Sequence, residues 1–226
     1  MEFPNYETWL KDVLNPADTE WWDFRTPEWY EYYKNKHRIC KAFNPMSILE
    51  VGVRFGYSAH AFITAAPVAV YTGVDSNDPK HGGWKTPTLE WALAMLSRTC
   101  DNLAMLDYPS EFSILGVTYS LDSKIIPNNH GIKFRRFIVA DTQCLSEALK
   151  IKIKSLNHDF IHIDADHSYK GCLSDLRTFW PVCNKVMLVD DYDCPSVKQA
   201  VDQFTEENDI LKFYMPSLRG EALLIK

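Results

Sequence analysis

The chain has 226 residues, of which 46% are hydrophobic and 24% are charged, and its formal net charge is −6. These values are typical of one globular domain, with room for an appended segment. The acidic balance provides no general attraction for phosphate groups, so we expect no nucleic-acid partner.

The N-terminal sequence predicts neither a targeting signal nor a membrane partner. The start, MEFPNYETWL, lacks the basic and apolar regions of a signal peptide. The run AFITAAPVAVY is too short to span a bilayer and contains Pro67. The six cysteines form no Cys-x-x-Cys pair, which favours reduced thiols over a metal ribbon or a disulfide framework. We therefore expect a cytoplasmic protein.

Residues 1–44 predict an aromatic-rich, helical N-terminal cap. Thr26 is a candidate N-cap and Pro27 suits the first helical position, so the pattern predicts a helix from Thr26 to Phe43. Several tryptophans either stack on a sugar or aromatic ligand, or belong to the core or a subunit interface. These tryptophans are Trp21, Trp22, Trp29 and, further along the chain, Trp84.

From Ser47 onward, short apolar runs alternate with amphipathic helices. The runs SILEV, AVYTGVD, KFRRFIVAD, DFIHID and KVMLVDD each end at or near an acid, and the final LKFYM and GEALLIK predict an antiparallel edge hairpin. Over residues 45–226 this alternation predicts an α/β fold, Rossmann-like and doubly wound, with a mostly parallel seven-stranded sheet. Sheets of this kind bind ligands at the carboxyl ends of their strands.

A long segment, about residues 77–131, separates the second predicted strand from the third. It contains a predicted helix from Thr88 to Asp101, the polar tip IPNNHG, and a candidate mobile pocket edge, HGGW. A segment of this length is either a lid over the site or a plain insertion.

The first predicted strand leads into a loop with an acid and two glycines. Glu50 precedes Gly52 and Gly56, which permit a tight turn and a close approach of backbone to ligand. Arg54 stands where a dinucleotide-binding pattern has its middle glycine, so no phosphate cradle is predicted. Asp75 ends the second strand, where a carboxylate can accept hydrogen bonds from both hydroxyls of a ribose.

This ordered set resembles the S-adenosylmethionine site of class I methyltransferases, and the resemblance covers roughly residues 45–226. It implies S-adenosylmethionine as the cofactor and a small-molecule acceptor as the partner. In the resemblance, Gly52 and Gly56 line the methionine and ribose, Asp75 holds the ribose, and Asp141 with Thr142 lies by the adenine. The cofactor-binding residues that it implies are Glu50, Gly52, Gly56, Tyr57, Ser58, Asp75, Asp141, Thr142 and Asp164.

Two acidic clusters follow the fourth and fifth predicted strands. Asp164 and Asp166 form the first, and Asp190 and Asp191 form the second. On neighbouring strands the four carboxylates would converge, and unpaired carboxylates raise each other's pKa. A divalent cation relieves this repulsion, and oxygen ligands without cysteine favour Mg²⁺, Mn²⁺ or Ca²⁺. The alternative is that Asp166 or Ser168 only caps the following helix.

The segments IDADHSYKGCLSDL and VDDYDCPSVKQAVDQF resemble the metal-dependent O-methyltransferases that include macrocin and noviose sugar methyltransferases. The resemblance implies that Asp164, Asp190 and Asp191 hold Mg²⁺, that Asp166 is the general base, and that His167 is the alternative base. The paired Asp190 and Asp191 favour the sugar-modifying branch over catechol-type relatives. The predicted reaction is methyl transfer to a hydroxyl that has a neighbouring hydroxyl, on a sugar or glycosylated natural product, with a catechol-like acceptor as the second choice.

Two other functions stay open on the sequence alone. A sugar-nucleotide glycosyltransferase would use Asp164 and Asp166 to hold Mn²⁺ and a diphosphate, but it leaves the second acidic cluster and the glycine loop unexplained. A non-catalytic S-adenosylmethionine-binding module would keep the fold, although the intact carboxylate set argues against it. The sequence also leaves open whether the protein forms a homo-oligomer.

Overall fold

The computed structural model describes residues 2–13, 26–76, 92, 102–106, 111–114, 117–120, 125–127, 134–145 and 147–226. The predicted helix from Thr88 to Asp101, apart from Ala92, and the segment HGGW lie outside the described residues, as do Trp21 and Trp22. The prediction of a lid falls on this part of the chain. Within these ranges no helix has the length and apolar character needed to cross a membrane.

The described helices cover both faces of a central sheet. They are α1 (Tyr6–Val13), α2 (Pro27–Phe43), α3 (Tyr57–Ala65), α4 (Glu147–Lys154), α5 (Tyr169–Phe179) and α6 (Pro195–Asn208). Short 3-10 helices span Thr142–Cys144 and Trp180–Val182. Helices α2 and α3 contribute to the apolar cluster on one face, and α4, α5 and α6 contribute to the cluster on the other.

The described strands form one large sheet and a separate hairpin. The strands are β1 (Ser47–Val51), β2 (Val70–Asp75), β3 (Asn102–Leu106), β4 (Glu111–Ile114), β5 (Val117–Ser120), β6 (Ile125–Pro127), β7 (Phe134–Val139), β8 (His158–Ile163), β9 (Cys183–Val189), β10 (Leu211–Met215) and β11 (Glu221–Ile225). The large sheet has nine strands in the order β10-β11-β9-β8-β1-β2-β7-β3-β6, and β4 pairs with β5 alone.

The predicted fold class is confirmed. Seven neighbouring strands, from β10 to β7 in the sheet order, form the expected sheet, in which β7, β2, β1, β8 and β9 are parallel. The C-terminal strands β10 and β11 form the expected antiparallel hairpin. Strands β3 and β6, which lie in the predicted insertion, extend the sheet at the opposite edge. The sequence pattern did not predict these two additional strands.

Local sequence signals explain where the helices begin and end. Helix α2 starts after Thr26 with a proline in its first turn and ends at Asn44, whose backbone is left-handed with φ of 43°. Asparagine tolerates this conformation better than most residues, and its N–H closes the last turn. Helix α5 starts after Ser168, whose side chain accepts a hydrogen bond from the N–H of Gly171 at 3.1 Å.

A third cluster joins the N-terminal helices to the loop after β1. It consists of Trp9, Val13, Tyr32, Tyr33, Phe55, Tyr57 and Ala61, and Trp29 packs against it. Trp29 is partly buried against this cluster, where its ring contacts Tyr32 and Tyr33. The cluster places α2 directly beside the glycine loop.

Strand β1 lies at the point where the strand order reverses, between β2 and β8. Its last residue, Val51, pairs with Val74 of β2 and with Ile163 of β8. The chain leaves β1 towards β2 on one side, and β8 lies on the other, which opens a crevice at the carboxyl ends of the strands. The glycine loop and both acidic clusters follow strands that end at this crevice.

Candidate functional site

Gly52 begins the glycine loop and contacts the first acidic cluster. Its φ is +87°, and a Cβ atom at this position would lie only 1.9 Å from the carbonyl oxygen of Asp164. Its N–H donates a hydrogen bond of 2.8 Å to the carbonyl of Val74. A larger residue would be strained and would collide with backbone, so glycine is required here.

Asp75 fixes the conformation of the glycine loop. Its Oδ2 accepts hydrogen bonds from the backbone N–H groups of Val53 at 2.9 Å and Arg54 at 2.8 Å. Gly56, with φ of 86°, is the N-cap of α3 and closes the loop. The carboxylate of Asp75 is half-buried at the carboxyl end of β2, where the sequence predicted a ribose ligand.

Glu50, Tyr57 and Ser58 support the loop from inside the protein. The carboxylate of Glu50 is fully buried and accepts hydrogen bonds from the hydroxyls of Ser58 and Tyr71. Tyr57 is buried in the aromatic cluster. The bond between Glu50 and Ser58 links the end of β1 to the first turn of α3, and Tyr57 packs that turn against the N-terminal helices. The assignment of all three to the cofactor stays a prediction.

Asp141 and Thr142 lie at the same edge of the sheet, after β7. The N–H of Ala140 donates a hydrogen bond of 2.9 Å to the carbonyl of Asp75, which brings the ends of β2 and β7 together. Oδ1 of Asp141 accepts from the N–H of Gln143 at 2.9 Å and starts a turn of 3-10 helix. Asp141 and Thr142 are both half-buried.

Asp164, His167 and Asp191 form the centre of the acidic site. Nε2 of His167 lies 3.3 Å from Oδ1 of Asp164 and 3.0 Å from Oδ2 of Asp191. Arg219, from the turn between β10 and β11, pairs with Oδ1 of Asp191. The backbone of Asp191 is left-handed with φ of 55°, which aims its buried carboxylate at His167.

The charges in this group shift one another's ionisation. The hydrogen bond to Asp164 raises the pKa of His167 to about 9, although burial opposes the change. Burial raises the pKa of Asp164, but the hydrogen bond from His167 and nearby positive charges hold that pKa well below its usual range. Burial, followed by the charges of Asp164 and Asp190, raises the pKa of Asp191 to about 7. At neutral pH the imidazole is therefore protonated and Asp164 is ionised.

The two candidate bases occupy different positions. Oδ1 of Asp166 accepts a hydrogen bond from the N–H of Ser168 at 2.8 Å, and its carboxylate lies over Gly171, where a Cβ atom would approach within 2.1 Å. This exposed side chain serves the start of α5, as the capping alternative expected. His167 is the candidate that lies among the carboxylates.

Asp190 is buried and held mainly by helix α2. Its Oδ1 accepts from the N–H of Asp191 at 2.9 Å, and its Oδ2 accepts from the hydroxyl of Tyr32 and lies 3.1 Å from Nζ of Lys36. Nζ of the fully buried Lys36 also lies 2.7 Å from Oε1 of Glu221. Burial lowers the pKa of Lys36, but the charges of Asp190, Glu221 and Asp164 hold it well above its usual range.

Three cationic side chains pair with the acids at the ends of β8 and β9: Lys36 with Asp190, His167 with Asp164 and Asp191, and Arg219 with Asp191. They offset part of the repulsion for which the sequence predicted a metal, although burial and the charges of Asp164 and Asp190 still raise the pKa of Asp191. The case for a metal now depends on donor geometry. Ligand atoms of Asp164, His167 and Asp191 lie within 4.8 Å of one another, and so do those of His162, Asp164 and Asp190. Carboxylate oxygens with one imidazole fit Mg²⁺ or Mn²⁺.

Sequence reasoning missed several residues of this site. Among them only Lys36 had a usable signal, because it follows Tyr32 and precedes Cys40 at four-residue spacing, on the buried stripe of α2. A lysine on an otherwise apolar stripe indicates a buried ionic partner. Arg219 and Glu221 had no comparable signal, since they lie in and after a short turn.

Solved methyltransferases share this fold at low sequence identity. The S-adenosylhomocysteine-bound methyltransferase PaMTH1 of Podospora anserina is 15% identical with a TM-score of 0.56, and the match covers 98% of this chain and 88% of that one. The O-methyltransferase TomG of Streptomyces achromogenes, in complex with S-adenosylmethionine, is 16% identical with a TM-score of 0.55, covering 97% and 89%. An O-methyltransferase of Bacillus cereus is 13% identical with a TM-score of 0.53, covering 98% and 90%.

The family assignment comes from a sequence-family match. No curated protein matches the chain. The model of the family described as "Methyltransferase domain" matches residues 49–192, a span that includes the glycine loop and both acidic clusters. This family does not favour the glycosyltransferase alternative. Because the match covers more than half of the sequence, the chain belongs to the methyltransferase domain family.

Proposed function

We propose that the protein transfers a methyl group from S-adenosylmethionine to a hydroxyl of a small molecule, with the help of a divalent cation. The contact between Gly52 and the carbonyl of Asp164 carries this proposal. This contact places the glycine loop, which suits the methyl donor, beside the acidic site, which suits the acceptor. Methyl transfer requires this proximity, because the nucleophile must approach in line with the departing sulfur.

The residues on the cofactor side fit S-adenosylmethionine. Gly52 lets backbone approach the ligand without a side chain, and Asp75 stands at a strand end where it can accept from ribose hydroxyls. Asp141 and Thr142 stand further along the same edge, where the resemblance expects the adenine. The relatives from Podospora anserina and Streptomyces achromogenes, crystallised with S-adenosylhomocysteine and S-adenosylmethionine, support this cofactor.

The residues on the acidic side fit proton removal from the acceptor. The sulfonium methyl is already electrophilic, so the protein has to orient and deprotonate a hydroxyl. His167 is the base that the geometry supports, and it must release its own proton before it can accept another. A divalent cation held by Asp164 and Asp191 would lower the pKa of a coordinated hydroxyl. It would also compete with the protonated His167 for these two carboxylates.

The preferred acceptor has two neighbouring hydroxyls, one to deprotonate and one to orient. A sugar or glycosylated natural product is the first choice, because the paired Asp190 and Asp191 resemble the sugar-modifying branch. A catechol-like acceptor is the second choice. Rates of methyl transfer to matched acceptors with and without the second hydroxyl would show whether the acceptor is oriented by two hydroxyls or bound through one.

Calorimetry and label transfer test the proposal together. We expect S-adenosylhomocysteine to bind and to raise the melting temperature, while a nucleoside diphosphate with Mn²⁺ does neither. Methyl label from S-adenosylmethionine should reach a vicinal diol, and excess EDTA should stop the transfer. Full activity in EDTA would remove the cation from the proposal. Tight cofactor binding without transfer to any acceptor would favour the non-catalytic module.

A further inference from the structure

The ammonium of Lys36 is enclosed by three acceptors on three different strands. Nζ lies 2.7 Å from Oε1 of Glu221, 3.0 Å from Nε2 of His162 and 3.1 Å from Oδ2 of Asp190. A lysine ammonium has three N–H donors and no acceptor. The three contacting residues lie in or directly after β8, β9 and β11, although the lysine itself comes from α2.

This ammonium lies at one of two neighbouring places where ligand atoms converge. The first group is His162, Asp164 and Asp190, and the second is Asp164, His167 and Asp191, so both share Asp164. Lys36 contacts two members of the first group directly. While the lysine is present, these contacts leave no room for a metal ion between Nε2 of His162 and Oδ2 of Asp190.

We propose that Lys36 is a built-in cation that fills the first of two neighbouring cation positions and leaves the second for a single divalent ion. The inference rests on the proposed function only for the second position. For the first position it rests on the contacts of Lys36 alone.

Glu221 provides an independent observation at the first position. Its side chain is only 1% exposed, and Oε2 has no hydrogen-bond partner among the described residues. A buried carboxylate oxygen without a partner is costly unless a cation is close. Without Lys36, the imidazole of His162 and the carboxylates of Asp164 and Asp190 would converge, with the buried Glu221 carboxylate beside them. Mn²⁺ accepts this ligand set.

Lys36 also has a positioning role for the second position. It holds Oδ2 of Asp190, while Oδ1 of the same carboxylate accepts from the N–H of Asp191 at 2.9 Å. That hydrogen bond supports the left-handed backbone of Asp191, with φ of 55°. The buried lysine therefore orients Asp191 through Asp190, without touching a substrate itself.

Counting bound Mn²⁺ by electron paramagnetic resonance tests the inference. We expect Lys36→Ala to bind one more Mn²⁺ per chain than the wild type, because the vacated position offers three ligands and one less positive charge. Lys34→Ala is the matched control, since Lys34 lies on the same helix but makes an exposed pair with Glu31. It should bind the same number of ions as the wild type.

A second variant tests the role of the charge beside the first position. In Lys36→Ala with Glu221→Gln, the lost positive charge is balanced by a lost negative charge, so the net charge of the site matches the wild type and the extra ion should disappear. Equal ion counts in Lys36→Ala and wild type would overturn the inference. If Lys36→Ala fails to fold, recovery of the fold by added Mn²⁺ supports the inference, and failure to recover overturns it.

The same experiment separates this inference from the proposed function. If the wild type binds no Mn²⁺, the divalent cation of the proposed function is contradicted. The inference about Lys36 is still tested in that case, because it predicts one more bound ion in Lys36→Ala than in the wild type. Absence of S-adenosylhomocysteine binding contradicts methyl transfer and leaves the ion count as the readout for Lys36. A purely structural lysine would lower the melting temperature without changing the ion count.

Discussion

The two halves of the crevice satisfy their acids in different ways. On the side of β1 and β2, Glu50 is held by hydroxyls and Asp75 by backbone N–H groups. On the side of β8 and β9, Asp190 and Asp191 are held largely by the charged side chains of Lys36, His167 and Arg219. The first half uses mainly neutral donors, and the second adds ionic pairs to the neutral contacts of Asp190 with Tyr32 and the N–H of Asp191.

Under the proposed function, this difference assigns a separate role to each half. Neutral donors that are fixed by the backbone give a stiff loop whose shape does not depend on ionisation, which suits a cofactor bound in every turnover. Ionic pairs can exchange one cation for another, which suits a place where protons and a divalent ion come and go. The predictions below test this division of roles.

The largest expected effect is on the ionic half. Asp191→Asn removes the charge but tolerates the left-handed backbone, so the fold should survive. We expect methyl transfer to fall by at least about 100-fold. Binding of S-adenosylhomocysteine, measured by calorimetry, should change by less than about twofold. Asp193→Asn, at an exposed neighbouring residue, is the control. If Asp191→Asn lowered cofactor affinity by the same factor as methyl transfer, the division of roles between the two halves would be wrong.

A second pair of variants separates the candidate bases. His167→Gln should lower kcat by roughly 100-fold or more, because it removes the proton acceptor. Asp166→Asn should keep most of the activity and lose about 1 kcal/mol of stability, because it weakens the hydrogen bond to Ser168. Single-turnover rates and thermal melts check both values. The reverse pattern would restore Asp166 as the base.

The neutral half is tested by Gly52→Ala. The added Cβ would meet the carbonyl of Asp164, and the left-handed backbone would be strained by about 1–2 kcal/mol. We expect the affinity for S-adenosylhomocysteine to fall at least about tenfold. Gly220→Ala is the control, since φ there is +67° and its Cβ would approach the Asp193 carboxyl at 2.5 Å. It should lose stability but keep cofactor affinity.

The smallest expected effect on activity concerns Asp175, which is buried in α5. Burial raises its pKa to about 7 from 3.8, with further contributions from the charges of Asp166 and Asp141. Because the folded-state pKa lies above the unfolded one, this group stabilises the fold below about pH 4, and that contribution is lost as the pH rises to about 7. Asp175→Asn should therefore raise stability at pH 8 by up to about 4 kcal/mol and leave it unchanged at pH 4.

Chemical denaturation at both pH values checks the prediction for Asp175. The effect on activity should be small and confined to cofactor affinity, because Oδ1 of Asp175 accepts a hydrogen bond from Nε2 of Gln143 at 3.1 Å and its carboxyl also bonds to the side chain of Thr142. An equal change in stability at pH 4 and pH 8 would show that packing, and not ionisation, dominates at this position.

The sheet and its acidic edge could be predicted because both depend on local patterns. Apolar runs that end in an acid place Asp75, Asp164 and Asp190 at the carboxyl ends of parallel strands. The partners of these acids could not be predicted in the same way. Lys36 and Arg219 come from distant elements, and only packing brings them to the crevice. Strands β3 and β6 were missed because short strands within a long insertion give little periodic signal.

The contacts of Lys36 have a consequence for the order of folding. Its partner Glu221 is 185 residues further along the chain, and the partner of Tyr32, Asp190, is 158 residues further. During synthesis α2 emerges first, but its ammonium cannot reach all three acceptors until the last strand has been made. Contacts of such long sequence separation close slowly. The acidic centre therefore forms only after Glu221 has been synthesised and β11 can join the sheet.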